Sequence, residues 1–263
     1  MTRRALLLGL LLFMLAVPGA GAQPPQGIVR PANEAALSLQ ELGSQLFAGN
    51  CSTCHGSRGE GIESARPSQG AGNITGLGPS LVGVGARAAD FYLRTGYMPL
   101  GDAGEQPRRS RVLFAGRELD ALVQYVASLG EGPPVPSPRP ERGDVARGLE
   151  LFTRHCAGCH QVVAEGGFVT PAVAPPLDDA TATQVAEAVR IGPYVMPTFS
   201  EKQISDHDLN AIIAYVEASK SPDDEGGWGI GHLGPVPEGM VTWLVAAVAL
   251  VALCGIIGTR SRS

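Results

Sequence analysis

Aromatic side chains are scarce: Phe, Trp and Tyr make up 5% of the 263 residues. A chain of this length accommodates two small domains plus extra segments. With so few aromatics their cores are thin unless a large apolar group supplies buried surface. Methionine is scarcer, with five copies. Met1, Met14 and Met240 sit at the start or in apolar terminal stretches, which leaves Met98 and Met196 to the body of the chain. Cysteine also numbers five. Basic charge does not dominate either: the formal net charge is -5, so no nucleic-acid partner is expected.

Four of the five cysteines fall in two copies of one motif, Cys51-Ser52-Thr53-Cys54-His55 and, 105 residues later, Cys156-Ala157-Gly158-Cys159-His160. A CxxCH run is the pattern of covalent c-type haem attachment, in which two thiols take the two vinyl groups and the adjoining histidine reaches the iron. Zinc ribbons also pair CxxC runs, but they place the second pair roughly 15 to 20 residues on. Here 101 residues separate Cys54 from Cys156, and a histidine follows each pair directly. Two covalently bound haem c groups are therefore expected, and they would fill the thin cores. The remaining thiol, Cys254, lies in an apolar run and reads as a small buried hydrophobe.

Each end of the chain carries an apolar stretch. Ala5 to Val17 follows Arg3 and Arg4 and precedes Ala20-Gly21-Ala22, the layout of a secretory signal over 1–22, expected to be cleaved after Ala22. Its thirteen apolar residues are few for a membrane span. Met240 to Ile257, by contrast, holds one polar residue, Thr242, and continuing to Thr259 reaches the roughly 20 residues that a spanning helix needs. Arg260 and Arg262 follow it, and Asp223, Asp224, Glu225 and Glu238 precede it. The positive-inside rule then places the tail, 260–263, in the cytoplasm and the haem motifs outside.

Between these ends, 23–38 is Pro-rich and without period, and reads as a flexible arm. Leu39, Leu42, Leu46 and Phe47 form one helical face leading into the first motif. Gly56 to Gly85 holds nine glycines in thirty residues and reads as a long loop wrapped around something, for which haem is the obvious body. A short helix over Ala88–Thr95 and a stronger one over Gly116–Leu129 complete a first domain, 39–130. Five prolines within 131–142 make a semi-rigid spacer. The second domain, 143–220, repeats the first: Gly148, Leu151 and Phe152 stand 105 residues after Gly43, Leu46 and Phe47. Its last helix starts near Ser205, with Asp208 completing the cap, and its face of Leu209, Ile212, Ile213 and Val216 lies 90 residues after the matching face of Gly116–Leu129. The smaller offset predicts lost loop length and not a lost element. A stalk, 221–239, leads to the membrane helix, 240–259.

A c-type iron held by histidine commonly takes a methionine thioether on its other side. Met98 and Met196 each follow a short helix, precede a proline and lie some forty residues beyond a motif histidine. The axial pairs are then His55 with Met98 and His160 with Met196, which leaves neither iron an open position and favours electron transfer over catalysis. The carbonyls of Pro79 and Pro175 are candidates to accept the other imidazole N–H. His155, His207 and His232 read as solvated or capping. The second domain is net acidic, ten acids to five bases, whereas the first balances eight with eight and carries a basic cluster at Arg108, Arg109 and Arg111. Such asymmetry can steer docking, or simply be a solvated surface.

The stretches Gly78–Leu100, Gly192–Ser200 and Pro237–Met240 resemble the di-haem cytochrome c subunit of actinobacterial menaquinol-cytochrome c reductase, from about Leu39 to the C-terminus. The resemblance implies an all-α fold of two tandem class I cytochrome c domains plus a C-terminal transmembrane helix. It implies covalent attachment through Cys51, Cys54, Cys156 and Cys159, with iron ligation by His55, Met98, His160 and Met196. It implies an electron-transfer subunit of a quinol-cytochrome c reductase (a translocase) in the bacterial plasma membrane, single-pass, with its haem domains on the outer face. Its partners would be cytochrome b, the Rieske iron-sulfur protein and a haem-copper oxidase. The alternatives are a di-haem donor to another oxidase or dehydrogenase, a di-haem peroxidase, which needs one iron able to open a coordination position, and a periplasmic gas sensor.

Overall fold

The computed structural model describes residues 27–63, 78–101, 105–221 and 235–260. The expected signal, 1–22, the start of the arm and most of the stalk lie outside them. The chain divides into two compact units between Pro136 and Ser137, inside the Pro-rich spacer, and the first unit also takes in Glu187–Thr198. Among the described residues the fold is all-α apart from one small hairpin.

The first unit is built on α1 (Leu39–Asn50), α2 (Gly85–Arg94) and α3 (Gly116–Ala127). Ser38 starts α1 with a reciprocal cap: its hydroxyl accepts from the Glu41 N–H, and the Glu41 carboxylate accepts from the Ser38 N–H. Leu42, Leu46 and Phe47 then face Leu119, Ala121 and Leu122 of α3 in a closed core. Gly43 lies at the crossing of the two helices, where a Cβ would overlap the carbonyl of Ala121. One turn on, the Phe47 and Tyr125 rings meet with centroids 5.1 Å apart. Arg94 joins α2 to α3 by donating to Asp90 at 2.7 Å and Asp120 at 2.6 Å.

From Ile28 onward the segment expected to be a free arm is docked on this unit. Ile28 and Leu37 pack against the core. Val29 exchanges backbone hydrogen bonds with the Asn50 side chain at 2.8 and 2.9 Å. Arg30 donates to the buried Glu118 carboxylate at 2.6 Å, and Arg117 reaches the Glu34 carbonyl at 2.8 Å. Proline content removed the helical period, but side chains far along the chain supply the partners.

In the second unit Asp144 caps α4 (Val145–His155), its carboxylate accepting from the Arg147 N–H at 2.6 Å. A hairpin follows, β1 (Gly167–Val169) antiparallel to β2 (Ala172–Ala174), with Phe168 opposite Val173. Next come α5 (Ala182–Ile191), which the division between units cuts after Ala186, and α6 (Asp206–Ser219), capped by Ser205 as expected. α6 packs on α4 as α3 packs on α1. Gly148 sits at that crossing with no room for a Cβ beside the Ala211 carbonyl, and the Phe152 and Tyr215 centroids lie 5.3 Å apart.

Among the described residues one helix is long and apolar enough to cross a membrane, the 22 residues Gly239–Arg260 of α7 (Pro235–Arg260). None of that span is buried in the protein. At 1.5 Å per residue it covers about 33 Å, close to a bilayer's hydrocarbon thickness. Cys254 lies on this helix and is not covered by the rest of the protein.

Replacing Gly43 or Gly148 by Ala is expected to push the paired helices apart at a cost of about 3 kcal/mol. The melting temperature of the purified protein, followed by circular dichroism, should fall by about 10 °C. Gly116→Ala, where a Cβ meets nothing within 4 Å, should leave it unchanged.

Candidate haem sites

Both motifs are built in the same way. α1 and α4 end at the first cysteine, whose N–H still donates into the helix, Cys51 to the Phe47 carbonyl and Cys156 to the Phe152 carbonyl, each at 2.8 Å. A separate helical turn follows, Ser52–His55 or Ala157–His160. Its closing bond runs from the histidine N–H to the first cysteine carbonyl, 3.0 Å in one unit and 2.9 Å in the other. Cysteines and histidine at i, i+3 and i+4 then lie on one face of the turn.

Each imidazole is held on one side by backbone. The Nδ1 of His55 lies 2.8 Å from the Pro79 carbonyl and that of His160 lies 3.0 Å from the Pro175 carbonyl, the two acceptors expected from sequence. A carbonyl only accepts, so Nδ1 carries the proton and Nε2 keeps its lone pair for a metal. The histidine carbonyl is held as well: Gly61 N–H donates to His55 at 2.7 Å and Gly166 N–H to His160 at 3.0 Å. Each excursion of chain after the motif is therefore tied to the histidine at its start and at its end. In the first unit it is pinned by a bridge between Ile62 and Gly78; in the second it is the hairpin of β1 and β2.

The electrostatics suit neutral ligands and covalent attachment. Burial, with a smaller contribution from the neighbouring thiol, pushes Cys51 up to about 12 and Cys156 up to about 11. A reactive dithiol redox site needs the opposite shift. Among the described residues no group of three or more His, Cys, Asp or Glu is arranged to hold a metal ion. Burial also lowers the His160 pKa, which keeps its imidazole neutral. The residues present thus fit a covalently attached haem.

Met98 and Met196 lie on their own loops after α2 and α5, both half-buried. The two loops are secured differently. Met98 N–H donates to the Tyr92 carbonyl at 3.2 Å, while Ser110, well beyond the methionine, donates its hydroxyl to Gly96 and its N–H to Thr95. In the Met196 loop the Thr198 hydroxyl donates to the Ile191 carbonyl at 2.9 Å, and Met196 N–H to Pro193 at 3.0 Å. Arg108 and Ser110 help line a cleft of about 400 Å³ beside the first loop, and Arg108, Arg109 and Arg111 are all exposed. His155 stacks edge-on against Phe199 and His207 is exposed, while His232 lies outside the described residues.

Two helical units, each with a CxxCH turn and a backbone-anchored imidazole, define a c-type cytochrome, a protein of electron transport carrying haem c. Family models agree: residues 40–130 match "Cytochrome c" and residues 143–216 match "Cytochrome C oxidase, cbb3-type, subunit III". The chain is 33% identical over 96% of its length to the "Cytochrome bc1 complex cytochrome c subunit" of Corynebacterium diphtheriae, covering 94% of that protein. It is 36% identical over 96% of its length to the protein of the same name in Mycobacterium bovis, covering 90% of it. A "Cbb3-type cytochrome c oxidase subunit CcoP" of Azospirillum is 27% identical over 66% of the chain and 60% of that protein. The chain belongs to the family of cytochrome bc1 complex cytochrome c subunits found in actinobacteria.

Sequence patterns missed one titratable group in the first unit. Glu187 is fully buried, facing the Asp90 carboxylate. Burial foremost, then the negative charge of Asp90, pushes it up to about 8 against the partial opposition of Arg94 and Arg87. A carboxyl with a raised pKa stabilises the fold in its protonated form: the contribution is complete below the ordinary value near 4.5 and is lost as pH rises towards 8. Glu187→Gln is therefore expected to melt above the wild type at pH 8 and to lose that advantage at pH 4.5, as measured by thermal denaturation across pH.

Proposed function

We propose that this chain is the membrane-anchored two-haem subunit of a bc-type menaquinol-cytochrome c reductase, passing electrons from the Rieske iron-sulfur protein to a terminal haem-copper oxidase. The observation that carries the reading is the duplicated motif with the same double tie on its histidine, in a chain that ends in one bare apolar helix. Cys51 and Cys54 would hold one haem and Cys156 and Cys159 the other, with His55 and Met98, and His160 and Met196, as axial ligands. Each haem supplies a one-electron Fe(III)/Fe(II) couple when bound. What the protein adds is position. The Pro79 and Pro175 carbonyls fix the ring orientation and proton of each histidine, so the imidazole needs little rearrangement as charge changes at its other nitrogen. The Ser110 and Thr198 hydroxyls secure the methionine loops, whose soft sulfur favours the reduced state. With both a histidine and a methionine as ligands, each iron would have no place for a substrate, which would separate this reading from a peroxidase.

The anchor would be α7, with Arg260 and Arg262 in the cytoplasm and both haem units on the outer face, beside cytochrome b in the plasma membrane. Family membership supports the assembly. Extraction in mild detergent with the chain tagged should bring cytochrome b, a Rieske protein and oxidase subunits with it; recovery of the chain without cytochrome b would sink the proposal.

Pyridine hemochrome assay should give two covalent haems per chain. Met98→Ala and Met196→Ala should each retain both haems and lower one midpoint by on the order of 0.1 V, within the roughly 0.8 V range that axial ligands set. Redox titration with both midpoints unmoved would remove the methionines from the ligand set.

A further inference from the structure

The hairpin of the second unit presents an apolar surface at the haem motif. Phe168 is 86% exposed, and its cross-strand neighbour Val173, with Val162 and Val163 on the preceding turn, is also exposed. A phenylalanine this open is unusual, since its ring loses more by solvent contact than most side chains. Its position is fixed: Gly166, two residues before it, donates to the His160 carbonyl, and Pro175, next to β2, accepts from the His160 ring. Two residues of strand amount to about 7 Å, so the ring stands that far along β1 from a point locked to the histidine. A Cβ added at Gly167 would lie 3.2 Å from the Cys159 carbonyl, so the hairpin runs close to the attachment turn.

Along this stretch of chain the charge has one sign, with the Lys220 ammonium reaching the adjoining Ala180 carbonyl at 2.6 Å from outside it. From His155 to Val189 the sequence holds no Lys or Arg. At the base of the hairpin, where Leu177 N–H meets the Ala164 carbonyl, stand the exposed acids Glu165, Asp178 and Asp179. An apolar centre with an acidic rim complements an apolar recess rimmed by Lys and Arg, the arrangement in which charge sets encounter rate and the buried anchor sets residence.

We propose that the hairpin, with Phe168 as its anchor, is the docking surface through which the second haem exchanges electrons with a redox protein whose contact face is apolar at its centre and basic at its rim. The inference rests on the haem reading of His160, which the covalent haem count tests separately. The fixed tie to the histidine explains why an anchor here serves electron transfer: a partner seated on Phe168 is held at the edge of the attachment turn.

The test uses the full-length protein in detergent with both haems in place, and as probe a soluble c-type cytochrome whose haem edge is ringed by lysines. Stopped-flow absorbance should show a second-order electron-transfer rate that falls as salt rises. Phe168→Thr, which keeps a strand-forming side chain, should lower that rate about tenfold at fixed ionic strength, as expected for loss of an interface anchor, and Phe168→Leu should recover most of it. Haem content and both midpoints should match the wild type in each variant. A wild-type rate in Phe168→Thr, or a rate that rises with salt, overturns the proposal. So does a loss of haem or a shifted midpoint, which would mean that the ring packs on the porphyrin instead of on a partner.

Discussion

Each unit depends on one close approach of backbones. Where the first and last helices cross, Gly43 meets the Ala121 carbonyl and Gly148 meets that of Ala211, with no space for even one methyl group. That contact fixes the direction in which α1 and α4 leave the core, and those helices end on the first cysteine of each motif. The attachment turn is thus aimed by a helix crossing some eight residues upstream, with Phe47 or Phe152 closing the space between. A core with few aromatics spends two of them on this task in identical positions, which says where rigidity is needed.

From that fixed turn, precision passes to the histidine through hydrogen bonds and not through packing. His160 is nearly buried while His55 is only half so, yet the distances to the Pro carbonyls differ by 0.2 Å. Backbone acceptors hold the ring equally in a wetter and a drier setting because a carbonyl has no rotamer to lose. The same economy appears in the methionine loops, where a single hydroxyl in each, Ser110 or Thr198, bonds the backbone that leads into the loop.

Much of this was legible in the sequence. The motif itself, the helical face from Leu39 to Phe47 and the Ser205 cap follow from local rules, since spacing, capping and punctuation act within a few residues, and the two proline carbonyls from their matching places between motif and methionine. The docked segment from Ile28 was not, because Arg30 finds Glu118 and Val29 finds Asn50 across long separations and leaves no periodic trace. Nor was the hairpin: two three-residue strands are too short for alternation to stand out, and a proline lies between them. Glu187 escaped notice because a charged residue on a short helix ordinarily marks a solvated face.

Comparing the two units shows which lengths are constrained. The offset between them is 105 residues at Gly61 and Gly166 but 96 at Pro79 and Pro175, so the excursions differ by nine residues while both end on the same two ties to histidine. The two ties at the ends of the excursion are thus common to both units, whereas the body between them differs in length. In the second unit that body is reduced to a tight hairpin that lifts one aromatic ring into solvent. A segment whose ends are pinned to a cofactor ligand and whose length between them varies is where contact with another protein can be specified independently of the cofactor, and the exposed ring lies between those ends.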